Sequence, residues 1–484
     1  MLTPNTALID ALAAIHTTIT EITQEQGTFR QSDDKLIEKL PAFTRVVLTS
    51  TPGPGSYICH EIWLPDDWNG LFIGTGNGGM AGKIVYSGLV SYVRQECAVI
   101  NTDLGTSRGR SFGVNNPDVI RDFGWRATYL MTVAGKLITE AHYGKPIEHA
   151  YFLGGSTGGQ QAFSLAQRFP KEYDAISAGV PAHNRLALHT YFLWNFNMLK
   201  KTGATFTVEE LARISQHAVA FARENGMADA GDPFVTRPYV TPEIVERFMA
   251  YLKENDTELS EVQRTALKAL YLGPINPRTG KQLYTGLPLG AEVRGADARC
   301  ELLSWQKKEC PRIYAFSWTV GEDFTGEGFD FDADLDEIYA AEALDMNAND
   351  PDLRPFFANG GKFFIYSGSA DPIVPFPETV KYYDRLVDTV GLDAALDGAR
   401  YFIIPGQDHR ASVTHYGDAV MNDSITVHNL LEILRLWREQ GIAPDAFRMA
   451  TEFNGIRVEK TIHAYRTPQN PQINCIFSDG EYQR

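Results

Sequence analysis

Residues Gly154-Gly155-Ser156-Thr157-Gly158 set one serine among small neighbours. An apolar run at 150–153 precedes them and a helical pattern at 161–168 follows. A serine on a tight strand-to-helix turn is a nucleophile elbow: small flanking residues tolerate the strained backbone, and the hydroxyl is lifted clear of the sheet. The amide of Thr157 then sits at a helix N-terminus, where partial positive charge favours a developing oxyanion. The competing reading is a glycine-rich phosphate loop. It lacks both the lysine of a Walker loop and an acidic ribose binder in place, so the nucleophile reading is the stronger.

A serine hydroxyl attacks only with a base, and the base needs an orienting acid. On such scaffolds the chain order is serine, acid, histidine. Four of the eleven histidines, His409, His415, His428 and His463, follow a candidate acid. His409 comes just after an apolar run at 401–404 and the turn Pro405-Gly406, where a general base belongs. His415 is the rival in the same loop; His428 falls within a helical pattern and His463 in the tail. For the acid, the run 363–366 leads into Ser367-Gly368-Ser369-Ala370-Asp371-Pro372, placing Asp371 just beyond a strand end. Asp408 reads as a solvated loop charge. A second oxyanion amide is expected from Gly76-Asn77-Gly78-Gly79, which follows the run 71–75; Gly79 is the preferred donor, with Gly78 beside it.

These residues need elements to hold them. Apolar or β-branched runs at 43–48, 56–64, 71–75 and 97–102 predict strands, and helical spacing at 125–142 predicts a helix. Residues 8–22 carry apolar positions at helical spacing and predict a short amphipathic helix. From 189 to 272 the pattern is helical, and strand–helix alternation returns at 362–366 and 399–404. A last long helix is expected near 420–440. Alternating strands and helices predict an α/β class with a mostly parallel sheet covered on both faces. The elbow specifies it further as an α/β-hydrolase fold with a large, mainly helical lid inserted in the core. The expected division is core at 1–182, lid at 183–305 and core again at 306–484. A chain of 484 residues exceeds the roughly 250–300 that one hydrophobic core reaches, in keeping with an inserted lobe.

Composition narrows the function classes. A net charge of −16 argues against a phosphate-neutralising surface, so nucleic acid is not an expected partner. No stretch approaches the roughly 18–20 apolar residues that span a bilayer, and no membrane partner is expected. The first 24 residues lack a basic n-region with an apolar h-region, so a cytoplasmic location is expected. Cys59, Cys97, Cys300, Cys310 and Cys475 are scattered and form no CxxC pair; free thiols are expected over a Cys300–Cys310 bridge, and zinc is not.

Four segments together resemble the tannase and feruloyl esterase family, and the likeness runs over nearly the whole chain after about residue 40. They are YFLGGSTGGQQ (151–161), LYLGPINPRTGKQLYTGLPLGAE (270–292), NANDPDLRPFFANGGKFFIYSGSADPIVP (347–375) and FIIPGQDH (402–409). The resemblance implies a triad of Ser156, Asp371 and His409, and small-molecule esters of aromatic acids such as gallate, ferulate, coumarate or terephthalate monoesters as substrates. It also implies departures. The family usually carries a disulfide between a cysteine before the serine and one after the histidine; here these positions are Gly155 and Arg410. Arg410 then has three readings: contact with a substrate carboxylate, contact with a lid acid, or a surface charge. The family's lid often binds calcium, and the corresponding text offers Asn225, Asp229 and Asp232, with Ala222 at one aspartate position. Calcium usually takes six to eight oxygens, so no cofactor is expected to be required. Tyr191, Phe192, Trp194, Phe196 and Trp305 are candidates for an aromatic-acid pocket or for lid core. The triad alone does not fix the acyl group, which leaves a non-aromatic esterase or amidase as the near alternative and a non-catalytic binding protein as the distant one. The oligomeric state is not legible.

Overall fold

The computed structural model describes residues 2–31, 35–238, 240–293, 301–411, 417–421, 425–453 and 455–471. The chain forms two compact units: Met1–His183 with Leu344–Phe364, and Asn184–Ala343 with Ile365–Arg484.

The first unit is built on a sheet whose strands are β1 (Thr17–Arg30), β2 (Leu36–Ser50), β3 (Ile58–Pro65), β4 (Leu71–Thr75), β5 (Ala98–Thr102), β6 (His149–Gly155) and β7 (Ala175–Gly179). They lie in the order β1-β2-β3-β5-β4-β6-β7. The β1, β2, β3 and β5 neighbours pair antiparallel, whereas β5, β4, β6 and β7 run parallel. Strands β4 and β5 are buried along their whole length, as expected of parallel strands covered on both faces. The helix Ala127–Tyr143 packs on β3, β4 and β5, and the helix Thr157–Arg168 on β6 and β7. Gln160 and Gln167 of that second helix donate through Nε2 to the carbonyls of Met346 (2.8 Å) and Ala348 (2.9 Å), fastening 344–350 to this unit.

Strand β8 (Lys362–Gly368) begins in the first unit and ends in the second, where β9 (Ala399–Ile404) neighbours it. The second unit carries the helices Arg185–Thr202, Val208–Glu224, Pro242–Asn255 and Glu261–Leu272. Their starts are written locally. Thr207 with Glu210, and Ser260 with Gln263, form capping boxes; Thr241 caps the third helix, with Pro242 opening it. An antiparallel sheet of β10 (Gly417–Met421), β11 (Ile425–Val427), β12 (Pro444–Phe453) and β13 (Ile456–His463) has the order β11-β10-β12-β13. No described helix is long and apolar enough to cross a membrane.

Two expectations are corrected. The predicted helix over 8–22 is the helix Thr6–Ala14 followed by β1. His16 turns at φ 55°, and the β-branched run Thr17-Thr18-Ile19-Thr20 then alternates along a strand paired to β2. The predicted helix over 420–440 is only Leu430–Gln440, preceded by β10 and β11. Asn429 starts it late: its side chain accepts the amides of Leu431 and Glu432, and β-branched Ile425, Thr426 and Val427 pair with β10 instead.

The antiparallel end of the first sheet is tied by one buried carboxylate. Glu61 on β3 accepts from Arg45 Nε (2.8 Å) and Nη2 (3.0 Å), from Trp63 Nε1 (2.7 Å) and from Tyr86 Oη (3.3 Å). Phe43 stacks on Trp63 at 4.4 Å, and Phe29 meets it edge-on at 5.1 Å. Glu61→Ala takes the buried partner from the Arg45 guanidinium, which keeps its bridge to the exposed Glu21 (2.9 Å), and removes the acceptor of the Trp63 N–H. Removing one partner of a buried pair costs about 3–5 kcal/mol. A chemical-denaturation midpoint lowered to match is the expected result, and a neutral effect would contradict this account.

Candidate active site

In the first unit β6 ends at Gly155 and the next helix opens at Thr157, leaving Ser156 alone on the turn with φ 59° and ψ −115°. A non-glycine residue held there stores about 1–3 kcal/mol of strain, so its surroundings must fix it. They do so through the backbone. Ser156 N–H donates to Gly179 O (2.9 Å), and Ser156 O accepts from Gln160 N–H (3.1 Å) and Ala182 N–H (3.1 Å). A Cβ on Gly154 would stand 2.4 Å from Gly158 O, and one on Gly76 would stand 2.5 Å from Gly158 Cα. At Gly155 a Cβ would meet only Gly179 O, at 3.6 Å, so this position has room for a side chain.

The loop after β4 is sewn to the elbow. Gly158 N–H donates to Asn77 O (2.7 Å), Asn77 N–H to Gln161 Oε1 (2.8 Å), and Gly76 N–H to Leu153 O (3.0 Å). Thr157 Oγ1 donates to Gly79 O at 2.7 Å, and Gly79 holds φ 57°. The amides of Gly76 and Asn77 are thus spent within the scaffold. Asn77 and Gln161, which make this seam, were not singled out from sequence; only the pairing across it reveals them.

In the second unit Asp371 lies just beyond β8, fully buried. Its Oδ1 accepts the amides of Ile373 (2.8 Å) and Val374 (3.0 Å), and its Oδ2 meets His409 Nδ1 at 2.8 Å. A carboxylate opposite Nδ1 requires the proton there, which leaves Nε2 as the basic nitrogen. The histidine loop is fastened to the acid loop twice more. Gly406 N–H donates to Ser369 Oγ (2.8 Å), and Ala370 N–H to Gln407 O (2.9 Å). Tyr191 Oη, from the helix Arg185–Thr202, donates to Pro372 O at 3.0 Å. Arg410 is exposed and turned onto its neighbour, with Nη2 3.2 Å from Asp408 Oδ2. Of the rival histidines, His415 lies outside the described residues, and His428 pairs on the surface with Asp418 at 2.9 Å.

Structure therefore brings Ser156, Thr157 and Gly79 together in the first unit, and Asp371 and His409 together in the second. Among the pocket aromatics, Tyr191, Phe192, Phe196 and Trp305 are buried, whereas Trp194 is half-buried. No disulfide joins Cys59, Cys97 and Cys310 among the described residues; Cys300 and Cys475 lie outside them.

The three proposed calcium ligands are committed to side-chain cations. Asp229 Oδ2 and Asp232 Oδ2 share the Lys460 ammonium of β13 at 2.7 and 2.9 Å, and Asp229 Oδ1 pairs with Arg237 at 2.7 Å. Asn225 Oδ1 accepts from Arg247. The Lys460 hydrogen bond holds the Asp229 carboxyl below its ordinary range. Burial pulls the Lys460 ammonium down, but the two carboxylates outweigh it and raise it above the usual lysine value. No group of three metal-ligating side chains occurs among the described residues, and this donor set does not fit calcium.

A family model described as tannase and feruloyl esterase matches residues 44–476. A probable feruloyl esterase B-1 of Aspergillus oryzae is 29% identical over 473 residues, covering 93% of this chain and 84% of that one. An uncharacterized esterase of Xanthomonas campestris pv. campestris is 29% identical, covering 90% and 82%. Among solved structures, feruloyl esterase B from Aspergillus oryzae superposes with a TM-score of 0.78 at 22% identity, covering 95% of each chain. Tannin acyl hydrolase from Aspergillus niger gives 0.69 at 18%, covering 95% of this chain and 91% of that one. These superpositions bear out the α/β-hydrolase fold.

With Lys460 acting as the counter-cation, a chelator is expected to leave the melting temperature unchanged. Lys460→Met should lower it by about 2–4 °C, the shift of roughly 1 kcal/mol in a unit of this size. Millimolar calcium should restore part of that loss in the variant and do nothing to the parent. A parent protein that melts earlier in chelator would contradict the assignment.

Proposed function

The chain belongs to the tannase and feruloyl esterase family, and we propose that it is a serine carboxylic-ester hydrolase releasing aromatic acids from their esters. The observation that carries the reading is the Asp371–His409 hydrogen bond at 2.8 Å, with the remaining carboxylate oxygen held by two amides. A histidine so oriented presents Nε2 as a base. The serine it would serve is Ser156, on the strained elbow.

In this reading His409 Nε2 takes the Ser156 hydroxyl proton as Oγ attacks the ester carbonyl. The carbonyl electrons move onto oxygen, and amides of Gly79 and Thr157 hold the oxyanion. Collapse breaks the bond to the alcohol, which leaves with the proton from His409. Water, deprotonated by His409, then attacks the acyl-enzyme; the aromatic acid departs and Ser156 regains its proton. Asp371 keeps the imidazole in one tautomer and stabilises its charged form. Losing one oxyanion donor typically costs roughly 100- to 1000-fold in rate. The aromatic acyl group is supported by the relatives' names, feruloyl esterase and tannin acyl hydrolase. The helix Arg185–Thr202 and its neighbours act in this reading as the lid, touching the acid loop through Tyr191.

The test is hydrolysis of methyl ferulate, methyl gallate and methyl p-coumarate beside methyl butyrate, by the parent and by Ser156→Ala. Serine-dependent turnover of an aromatic ester is expected, with unchanged melting of the variant. Turnover of methyl butyrate alone would keep the serine and sink the aromatic assignment. No turnover and no labelling of Ser156 by a fluorophosphonate would leave a binding protein. Asp371→Asn is expected to lower kcat on the order of 10⁴-fold, because an amide N–H facing Nδ1 favours the wrong tautomer. A loss below about tenfold would mean another acid serves His409.

A further inference from the structure

The helix Arg185–Thr202 turns two faces to different tasks. One buries Tyr191, Phe192 and Phe196. The other carries Trp194, Asn197, Met198 and Lys201, spaced i, i+3, i+4 and i+7, and lines a cleft of about 700 Å³. That volume lies within the range of small-molecule sites. The cleft is shaped before any ligand arrives. Trp194 Nε1 donates to Ala269 O at 2.9 Å, and Phe331 meets the indole edge-on at 5.3 Å. Phe329 packs against Phe331 at 5.2 Å. The Asn197 amide pins the facing loop, donating to Gly326 O (2.7 Å) and accepting from Gly328 N–H (3.1 Å).

The polar groups of the walls are thus turned inward, and the cleft offers aromatic and thioether surface. Its lining carries two cationic side chains, Lys200 and Lys201. No carboxylate pairs with either among the described residues, while Lys200 Nζ lies 5.4 Å over the Phe196 ring. The one acid lining the cleft is Glu327. A locally cationic, aromatic-walled cleft on a chain of net charge −16 matches a flat ring bearing one negative charge.

We propose that this cleft is a binding site for a planar aromatic carboxylate. The ring lies between Trp194, Met198 and Phe329, and the carboxylate meets the ammonium groups of Lys200 and Lys201. Neither Asp371 nor His409 lines it, and its argument does not use Ser156. Its failure and the failure of the esterase reading are therefore separable: one is read as binding, the other as turnover.

Ferulate serves as the charged probe and ferulamide as the neutral one, titrated calorimetrically into the intact chain and into the Lys200→Gln/Lys201→Gln variant. Both lysines are exposed, so the variant is expected to fold. The proposal expects ferulate to bind at least about tenfold more tightly than ferulamide, and to lose at least about tenfold in the double variant. Turnover of methyl butyrate should stay unchanged. Ferulate is also the product of the proposed hydrolysis, so the count of ferulate sites decides: equal affinities for the two probes, or as many ferulate sites in the variant as in the intact chain, would overturn it. A change of sedimentation in the variant with no change in ferulate binding would also overturn it, identifying the cleft as a contact between copies of the chain.

Discussion

Ser156 can hold φ 59° and ψ −115° only where three stretches of backbone come closer than side chains allow. Gly154, Gly158 and Gly76 each face main-chain atoms within 3.0 Å of where a Cβ would sit. That crowding is the constraint on which the rest of the first unit depends. It brings the loop after β4 against the start of the elbow helix, and it allows the Gly158–Asn77 and Thr157–Gly79 hydrogen bonds to form. The strain in the serine is offset by hydrogen bonds on both sides of it, to Gly179 and from Gln160 and Ala182. The same contacts bring Gly79 against Thr157, next to the serine, so the strained turn and the loop packed on it follow from one packing requirement.

The second unit solves a different problem. A buried carboxylate needs hydrogen-bond partners, and Asp371 has two amides on one oxygen and the His409 imidazole on the other. Orientation of the ring then depends on the loop that carries it. Where relatives are expected to staple that loop covalently, Gly155 and Arg410 occupy the two positions. Gly406 and Ala370 instead fasten the loops through Ser369 Oγ and Gln407 O. Gly406, at φ 67°, lies against Phe234, and Gly368 lies against the Gln407 carbonyl, leaving no room for slack. These contacts hold the histidine loop to the acid loop within the second unit. They act in any redox environment, whereas a disulfide does not.

What could be read from the sequence was what local chemistry writes. The elbow announced itself because tight turns demand glycine within a few residues of the serine. Asp371 and His409 could be paired from sequence because both follow apolar strands and their order in the chain is constrained, and the structure sets them 2.8 Å apart. The helical character of 189–272 was legible from its pattern, whereas the separate helix starts at Thr207, Thr241 and Ser260 are shown by the structure. The failures are as physical. Residues 17–22 have helical spacing and strand-forming residue types at once, and pairing with β2 decided between them. The strands β12 and β13 are held by each other, and neither carries a strong pattern alone. Asn77, Ser369 and Lys460 matter through partners distant in the chain, and no spacing rule reaches them.

Lys460 shows why a ligand set cannot be read from its anions alone. Asp229 and Asp232 are acids in a loop where a cation is wanted, and the sequence supplies that much. Whether the cation is a metal ion or an ammonium depends on what faces the loop, and here a lysine of β13 does. Calcium would bring a charge of +2 and the ammonium brings +1, with Arg237 on Asp229 supplying a second positive charge, and the consequences differ as well. A calcium ion would draw six to eight oxygens inward and make the loop's stability depend on free metal. An ammonium asks for two or three acceptors and ties the loop to a specific strand. Exchanging the one for the other converts a loop governed by ion concentration into one governed by the fold of the sheet it touches.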